Sequence, residues 1–434
     1  MHRSNRALVA TLGAALAAGA LIAPAAVAQT PTDLSLWVFV GPHGEFMTKQ
    51  AGLWNEANPD RPINLTFEEI PYEDMHNNLL AAFMSGQGAP DLVDIEIGKF
   101  STFVKTEDNV HLLDLTAEVA PYLPDLIASR MAPYQAYGKQ LGIDYHLGAY
   151  LMYYNRALLE EAGIDPDAIK TWDDYVAAGK TFQEKFPEKS WTAVGGTEYF
   201  TAAGLMQQNG GGLYNAAGEL ILNSPENAEA LQFLADMVNV HGIAIPTPGG
   251  DVHSADFYAA LTNLDVASIW MPQWYMIRPP WENAEAALCG SMIVRPMPIF
   301  EEGGFTTTMG GGTGTAVTDQ TPEAEQALAK EFLAFAKLTP EAQKALYTDL
   351  GFDPFRNDVY EDPALLTTNE CFSGEVPFEI IKSELGNVAP EYVGPLSPEA
   401  RDYLEATTIN AVVSGGVPAA DALAEAQAQV EAMQ

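Results

Sequence analysis

Between residues 34 and 95, strand-like and helix-like stretches alternate at short intervals, and this narrows the architecture more than any other feature of the chain. Leu34 to Val40 is β-type and runs into Gly41-Pro42-His43-Gly44. Phe46, Leu53, Trp54 and Ala57 then give a helix one apolar face, with Pro59-Asp60 as its stop. Ile63 to Ile70 alternates apolar and polar residues, Tyr72 to Ser85 reads as a helix closed by Gly86, and Leu92 to Ile95 is a third strand. The pattern predicts an α/β fold, a parallel sheet covered by helices. Ligands of such sheets sit beyond the carboxyl ends of the strands, here Gly41 to Glu45 and Glu96 to Lys99. A chain of 434 residues is too long for one compact core and suits two lobes. No low-complexity linker divides it, so the lobes are expected to be built from interleaved segments.

Charge removes whole classes of partner. With 21 Lys and Arg against 58 Asp and Glu, the net charge of −37 repels phosphate backbones and anionic headgroups, which argues against nucleic-acid and membrane-surface binding. The single long apolar run is at the N-terminus: Arg3 and Arg6, then Leu8 to Ile22, then Ala26-Val27-Ala28. That order is a secretory leader, residues 1–28, with the mature chain starting at Gln29 in the periplasm. No Cys follows the run to accept a lipid. In an oxidising compartment the two cysteines, Cys289 and Cys371, are expected to pair, for which chain entropy allows at most about 4.6 kcal/mol. Neither has a partner at zinc-site spacing and the seven His are scattered, so no metal or cofactor is expected.

Catalytic words are missing: there is no Gly-x-Ser-x-Gly, no His-Glu-x-x-His and no phosphate loop ending in Gly-Lys-Ser/Thr. Gly310-Gly311-Gly312-Thr313-Gly314 lacks the lysine and reads as backbone that bends or approaches something closely. Aromatic residues carry more information. Trp270, Trp274, Tyr275 and Trp281 crowd a stretch broken by Pro272, Pro279 and Pro280, where rings can face a cleft. Flat indole faces suit the C–H faces of sugars, with neighbouring carboxylates and amides fixing hydroxyls. Trp270 equally suits the end of a buried strand, Ala267 to Trp270, which leaves Trp274 as the stronger candidate. Tyr153-Tyr154, a pair of phenols that could hold iron, ends the apolar strand Ala149 to Tyr154, where neighbours point to opposite faces. Four Ser/Thr-Pro-Glu triplets, beginning at Ser224, Thr321, Thr339 and Ser397, mark helix starts.

Residues 150 to 174 carry a specific combination: Tyr154-Asn155-Arg156, Ala162-Gly163 and Thr171-Trp172-Asp173-Asp174. It resembles the signature of family 1 extracellular solute-binding proteins of ABC importers. Gly41 to Phe46, Pro90-Asp91 with Asp94 to Phe100, and Met309 to Val317 are similar to the sugar-binding branch that includes lactose and arabinose binders. The resemblance implies two α/β lobes, residues 29–147 with 311–352 and residues 148–310 with 353–434. Three crossings are implied near His146–Tyr150, Met309–Thr313 and Gly351–Arg356. It implies a neutral mono- or oligosaccharide held between the lobes, delivery to an inner-membrane permease, a monomer and no enzymatic step.

Carried over by position, Trp274 is the stacking tryptophan, with Trp270 beside it. His43, Glu45, Glu96 and Lys99 follow the first and third strands, and Glu198 and Tyr199 form an aromatic-acidic pair in the other lobe. Gly311, Gly312 and Arg356 lie on the later crossings. Maltose binders place an acid at the first crossing; this chain has Gly148, leaving Asp144 or His146 to supply that contact and arguing against maltodextrin. The competing readings are a periplasmic glycosidase, separated by turnover of chromogenic glycosides, and the same fold holding a polyol or other non-sugar solute.

Overall fold

The computed structural model describes residues 30–281 and 285–433, so the leader sequence and its cleavage point lie outside the described residues. Two five-stranded sheets organise the chain. In the first, the strand order is Ile63–Glu69, Thr32–Val38, Leu92–Glu96, Thr313–Val317, Ile143–Asp144. The first three are parallel, as their periodicity predicts. Thr313–Val317 is antiparallel, with Thr313 opposite Glu96, so the sheet is mixed rather than wholly parallel. The reason is topological. This strand returns from the second sheet and therefore enters at the end where the others leave.

The second sheet runs Met292–Arg295, Tyr150–Asn155, Val266–Pro272, Ser190–Val194, Ala244–Pro246. Tyr150–Asn155 matches the expected strand Ala149 to Tyr154 to within one residue at each end. The expected loop after the chain's first strand, however, is helix: Gly41–Ala57 begins at Gly41, with Pro42 in the first turn, where its missing N–H costs nothing. Its inner face buries Phe46, Met47 and Trp54, and the Trp54 ring meets Phe332 and Phe335 edge-on. Tyr72–Ser85 ends at Gly86, whose φ of 73° is the left-handed conformation that stops a helix.

The signature of residues 154–174 is made of helix ends. Asn155 caps Arg156–Ala162 by accepting from the Leu158 N–H, and Gly163 closes that helix at φ 70°. Thr171 and Asp174 form a reciprocal capping box on Trp172–Lys185. Of the four Ser/Thr-Pro-Glu triplets, Ser224 and Thr339 cap as expected. Thr321 instead donates to the Asp91 carbonyl, and Ser397 accepts from the Gly394 N–H within its own turn. Tyr153 and Tyr154 do point apart, into different core clusters, the first against Trp281 and the second against Trp191. Trp281 is itself buried. Cys289 and Cys371 are joined by a disulfide. Among the described residues no helix is long and apolar enough to cross a membrane.

Where backbone passes between the sheets, three segments are bolted together. Asp353 accepts from the N–H groups of Gly148 and Ala149 through its carboxylate, at 2.8 and 2.9 Å, while its carbonyl accepts from Leu147 N–H at 2.9 Å. Gly310 N–H donates to the Gly148 carbonyl at 2.9 Å, tying in the glycine run. Gly148 has φ 74°, and a Cβ there would sit 2.8 Å from that run's Gly310 carbonyl, so a side chain would separate the strands of the joint. Burial pushes the Asp353 carboxyl up to about 6, against the pull of these N–H donors.

Candidate functional site

A cleft of about 640 Å³ opens between the two sheets. From one side it is lined by Phe39, His43, Tyr72, Glu96 and Phe352, and from the other by Phe200, Asp251, His253, Trp274 and Arg278. Gly311, Gly312 and His146 form part of its floor. Both walls thus combine aromatic rings with charged or hydrogen-bonding groups, the composition that small polar ligands with apolar faces require.

Each ring is placed by something behind it. Asp94, fully buried on the third strand, takes a hydrogen bond of 2.9 Å from His43 Nδ1 and another from the Thr315 hydroxyl at 2.5 Å. Burial opposes its charge, but these donors hold the carboxyl below its ordinary value. With Nδ1 occupied, Nε2 is the His43 nitrogen left for the cleft. Trp274 sits in the 3₁₀ turn Gln273–Ile277 that follows Val266–Pro272, and its indole N–H donates to the Gly310 carbonyl at 2.9 Å. His253 stacks on it at 5.6 Å and the Arg278 guanidinium lies 4.9 Å from the ring centre. Burial, with Arg278 nearby, lowers His253 to about 4, and burial holds His146 well below its ordinary value, so both are neutral at pH 7.

Arg401, which no sequence motif marks, reaches across the cleft. It lies 3.4 Å from Glu96, which also accepts from the Tyr72 hydroxyl at 3.0 Å, and its other side bonds Glu405 at 3.0 Å. Its guanidinium also faces the Phe200 ring at 5.4 Å. Glu96 and Glu405 keep it protonated despite burial.

Of the residues singled out from sequence, His43, Glu96, His146, Trp274, Gly311 and Gly312 line the cleft. Others do not. Glu45 faces solvent on the helix Gly41–Ala57, because that segment is helical and turns it away. Lys99 pairs with Glu73 at 3.2 Å in a side pocket at the rim. Asp144 is buried in an ion pair of 2.7 Å with Arg130, which donates in turn to the Gly311 carbonyl. Trp270 is fully buried in the sheet, donating to the Thr201 carbonyl at 2.9 Å, so it belongs to the core. Arg356 is held by Asp125 and Asp358 at 2.8 and 2.6 Å and braces the third crossing. Tyr199 lines a chamber of about 30 Å³ behind the glycine run, next to Glu391 and Gln207, with room for one or two waters. Sequence reasoning missed Asp251, His253, Arg278 and Arg401, which no motif marks and of which Arg401 comes from a distant part of the chain.

Glu198 turns onto the first turn of the helix Phe200–Gln208, accepting from the Thr201 hydroxyl at 2.5 Å. Burial pushes its carboxyl up to about 7, with the Thr201 donors opposing. A carboxyl raised on folding contributes stability that is fully present below about pH 4.5 and is lost as pH rises through 7. Glu198→Gln is therefore expected to remove about 3 kcal/mol of the decline between pH 4.5 and 8, read by urea unfolding. Parallel pH profiles for the two proteins would contradict this.

A family model described as bacterial extracellular solute-binding protein matches residues 41–344. An arabinooligosaccharide-binding protein of Halalkalibacterium halodurans is 39% identical over 404 residues, covering 92% of this chain and 89% of its own. One of the same name from Bacillus subtilis is 39% identical over 339 residues, 78% of this chain and 77% of its own. Among solved structures, maltose-bound T. maritima MalE3 superposes with a TM-score of 0.71 at 19% identity, over 93% of this chain and all of that one, which shows a shared two-lobed fold.

Proposed function

The chain belongs to the bacterial extracellular solute-binding protein family, and on that footing we propose that it captures a neutral saccharide of the arabinooligosaccharide class for an ABC importer. The observation that carries this reading is the interlobe cleft, where an indole, several phenyl and phenol rings, and charged groups converge from both lobes. Its size lies within the ordinary range for small-molecule sites. The relatives at 39% identity supply the class of sugar.

Ligand binds first to one lobe, and contacts from the other, made only on closure, favour the shut form. The ion pair of Arg401 with Glu96 joins the walls, and the crossings at residues 145–149, 309–312 and 351–356 serve as the hinge. The closed form is what an inner-membrane permease recognises, and the protein works as a monomer in the periplasm. Charged side chains select hydroxyl orientation, because a buried donor left unpaired is costly.

Titration calorimetry with arabinobiose, lactose and maltose tests the reading. Arabinobiose is expected to bind most tightly; no heat from any saccharide would overturn it. Trp274→Ala is expected to weaken sugar binding at least tenfold, about 1.4 kcal/mol, and unchanged affinity would remove the indole from the site. The function is capture without bond cleavage, so chromogenic arabinosides are expected to stay intact on prolonged incubation with the protein.

A further inference from the structure

The cleft does not end at its own walls. A second cavity of about 610 Å³ adjoins it, with Pro42, Ile277 and Leu350 lining both. One wall of the second cavity is apolar, built from Met276, Ile277, Tyr347 and Leu350. The lining also carries short hydroxyl and amide side chains, Thr348 on the helix Pro340–Leu350 and Thr367, Thr368 and Asn369 just before Cys371. With the carboxylates of Asp349 and Glu370 beside them, these groups pair an apolar surface with hydrogen-bonding side chains, now without the arginines and histidines of the inner cleft.

The segment that carries Thr367, Thr368 and Asn369 is held in place. Cys371, which also lines the cavity, is tied to Cys289 by the disulfide, and Gly290 N–H donates to the Cys371 carbonyl at 2.9 Å. Asn369 accepts through its side chain from Cys371 N–H at 2.9 Å, and its backbone N–H donates to the Glu375 carbonyl at 2.7 Å. A segment anchored this way presents its hydroxyls without first having to be ordered, which removes an entropy cost from binding.

We propose that this outer groove is an additional saccharide-binding site, which takes the continuing rings of an oligosaccharide whose first rings lie in the cleft. The inference rests on the sugar reading above and extends it from capture of a sugar to measurement of its length. Its ligand chemistry is an uncharged chain of linked pentoses. The outer rings leave through the side that carries Thr348 and Thr368, both exposed.

The test is a ladder of linear arabinooligosaccharides, from disaccharide to pentasaccharide, titrated calorimetrically into the full mature chain. Affinity is expected to rise at least tenfold along the ladder. Thr348→Trp and Thr368→Trp fill the groove from exposed positions that bear on neither the core nor the inner cleft. Each is expected to abolish that rise while leaving disaccharide affinity within twofold of wild type. A flat length profile in the wild type, or equal losses for short and long ligands in both variants, overturns the outer site while leaving the sugar reading intact. No binding by any member of the ladder ends both.

Discussion

Asp353→Ala is expected to destabilise the protein by roughly 3–5 kcal/mol, measured by urea denaturation at pH 7. The carboxylate is fully buried and accepts from two backbone N–H groups, Gly148 and Ala149, which have no water to turn to once it is gone. Each abandoned donor costs about 1–3 kcal/mol, and the cavity left by the side chain adds to that. Asp353→Asn keeps one acceptor oxygen and is expected to recover part of the loss. The alanine variant should also bind sugar more weakly, because Asp353 holds the first and third passages between the lobes in register. A loss below about 1 kcal/mol would mean that the joint is solvated and that Asp353 is not its bolt. The pH dependence has a definite sign. With its carboxyl raised to about 6 in the folded protein, Asp353 contributes stability that is intact below about pH 3.8 and fades as pH climbs through 6. The alanine variant should lack that decline.

Breaking the disulfide is the second large effect. Cys289→Ser with Cys371→Ser is expected to cost about 2–4 kcal/mol, below the chain-entropy ceiling. The two segments are also joined by the Gly290 to Cys371 backbone bond and by the Ser373 hydroxyl, which donates to the carbonyls of Gly290 and Met292. These contacts survive the substitution and keep the folded loop in place, although they do nothing to restrain the unfolded chain. Urea unfolding of wild type with and without reductant gives the same comparison without mutation. Identical midpoints would show that the bridge closes a loop already restricted when unfolded.

The frame was readable from sequence because period and punctuation are local. Tyr72–Ser85 and its Gly86 stop follow directly from an apolar stripe and one glycine. The antiparallel Thr313–Val317 was not readable, because its direction depends on arriving from another sheet more than two hundred residues after its neighbour Leu92–Glu96. The cleft was half readable. His43 and Glu96, which follow strands in the first lobe, could be placed by topology and Trp274 by its proline-broken surroundings, whereas Glu45 and Lys99, chosen on the same ground, lie outside the cleft. Trp270, four residues earlier, has the same composition around it but ends inside the sheet, a difference only register decides. Arg401 meets Glu96 across 305 positions, and no local pattern encodes such a meeting. Arg356 was placed on a crossing as a ligand-binding candidate, but its charge is taken up by Asp125, which no local pattern brings to it, and by Asp358.

The most recognisable words of this chain, from Asn155 to Asp174, begin and end helices and touch no cleft wall. Inheritance of those words therefore preserves a chassis. What the vehicle carries is written elsewhere, in scattered loop positions that can drift while the helix punctuation stays fixed. A lineage built this way can change its diet without relearning how to fold.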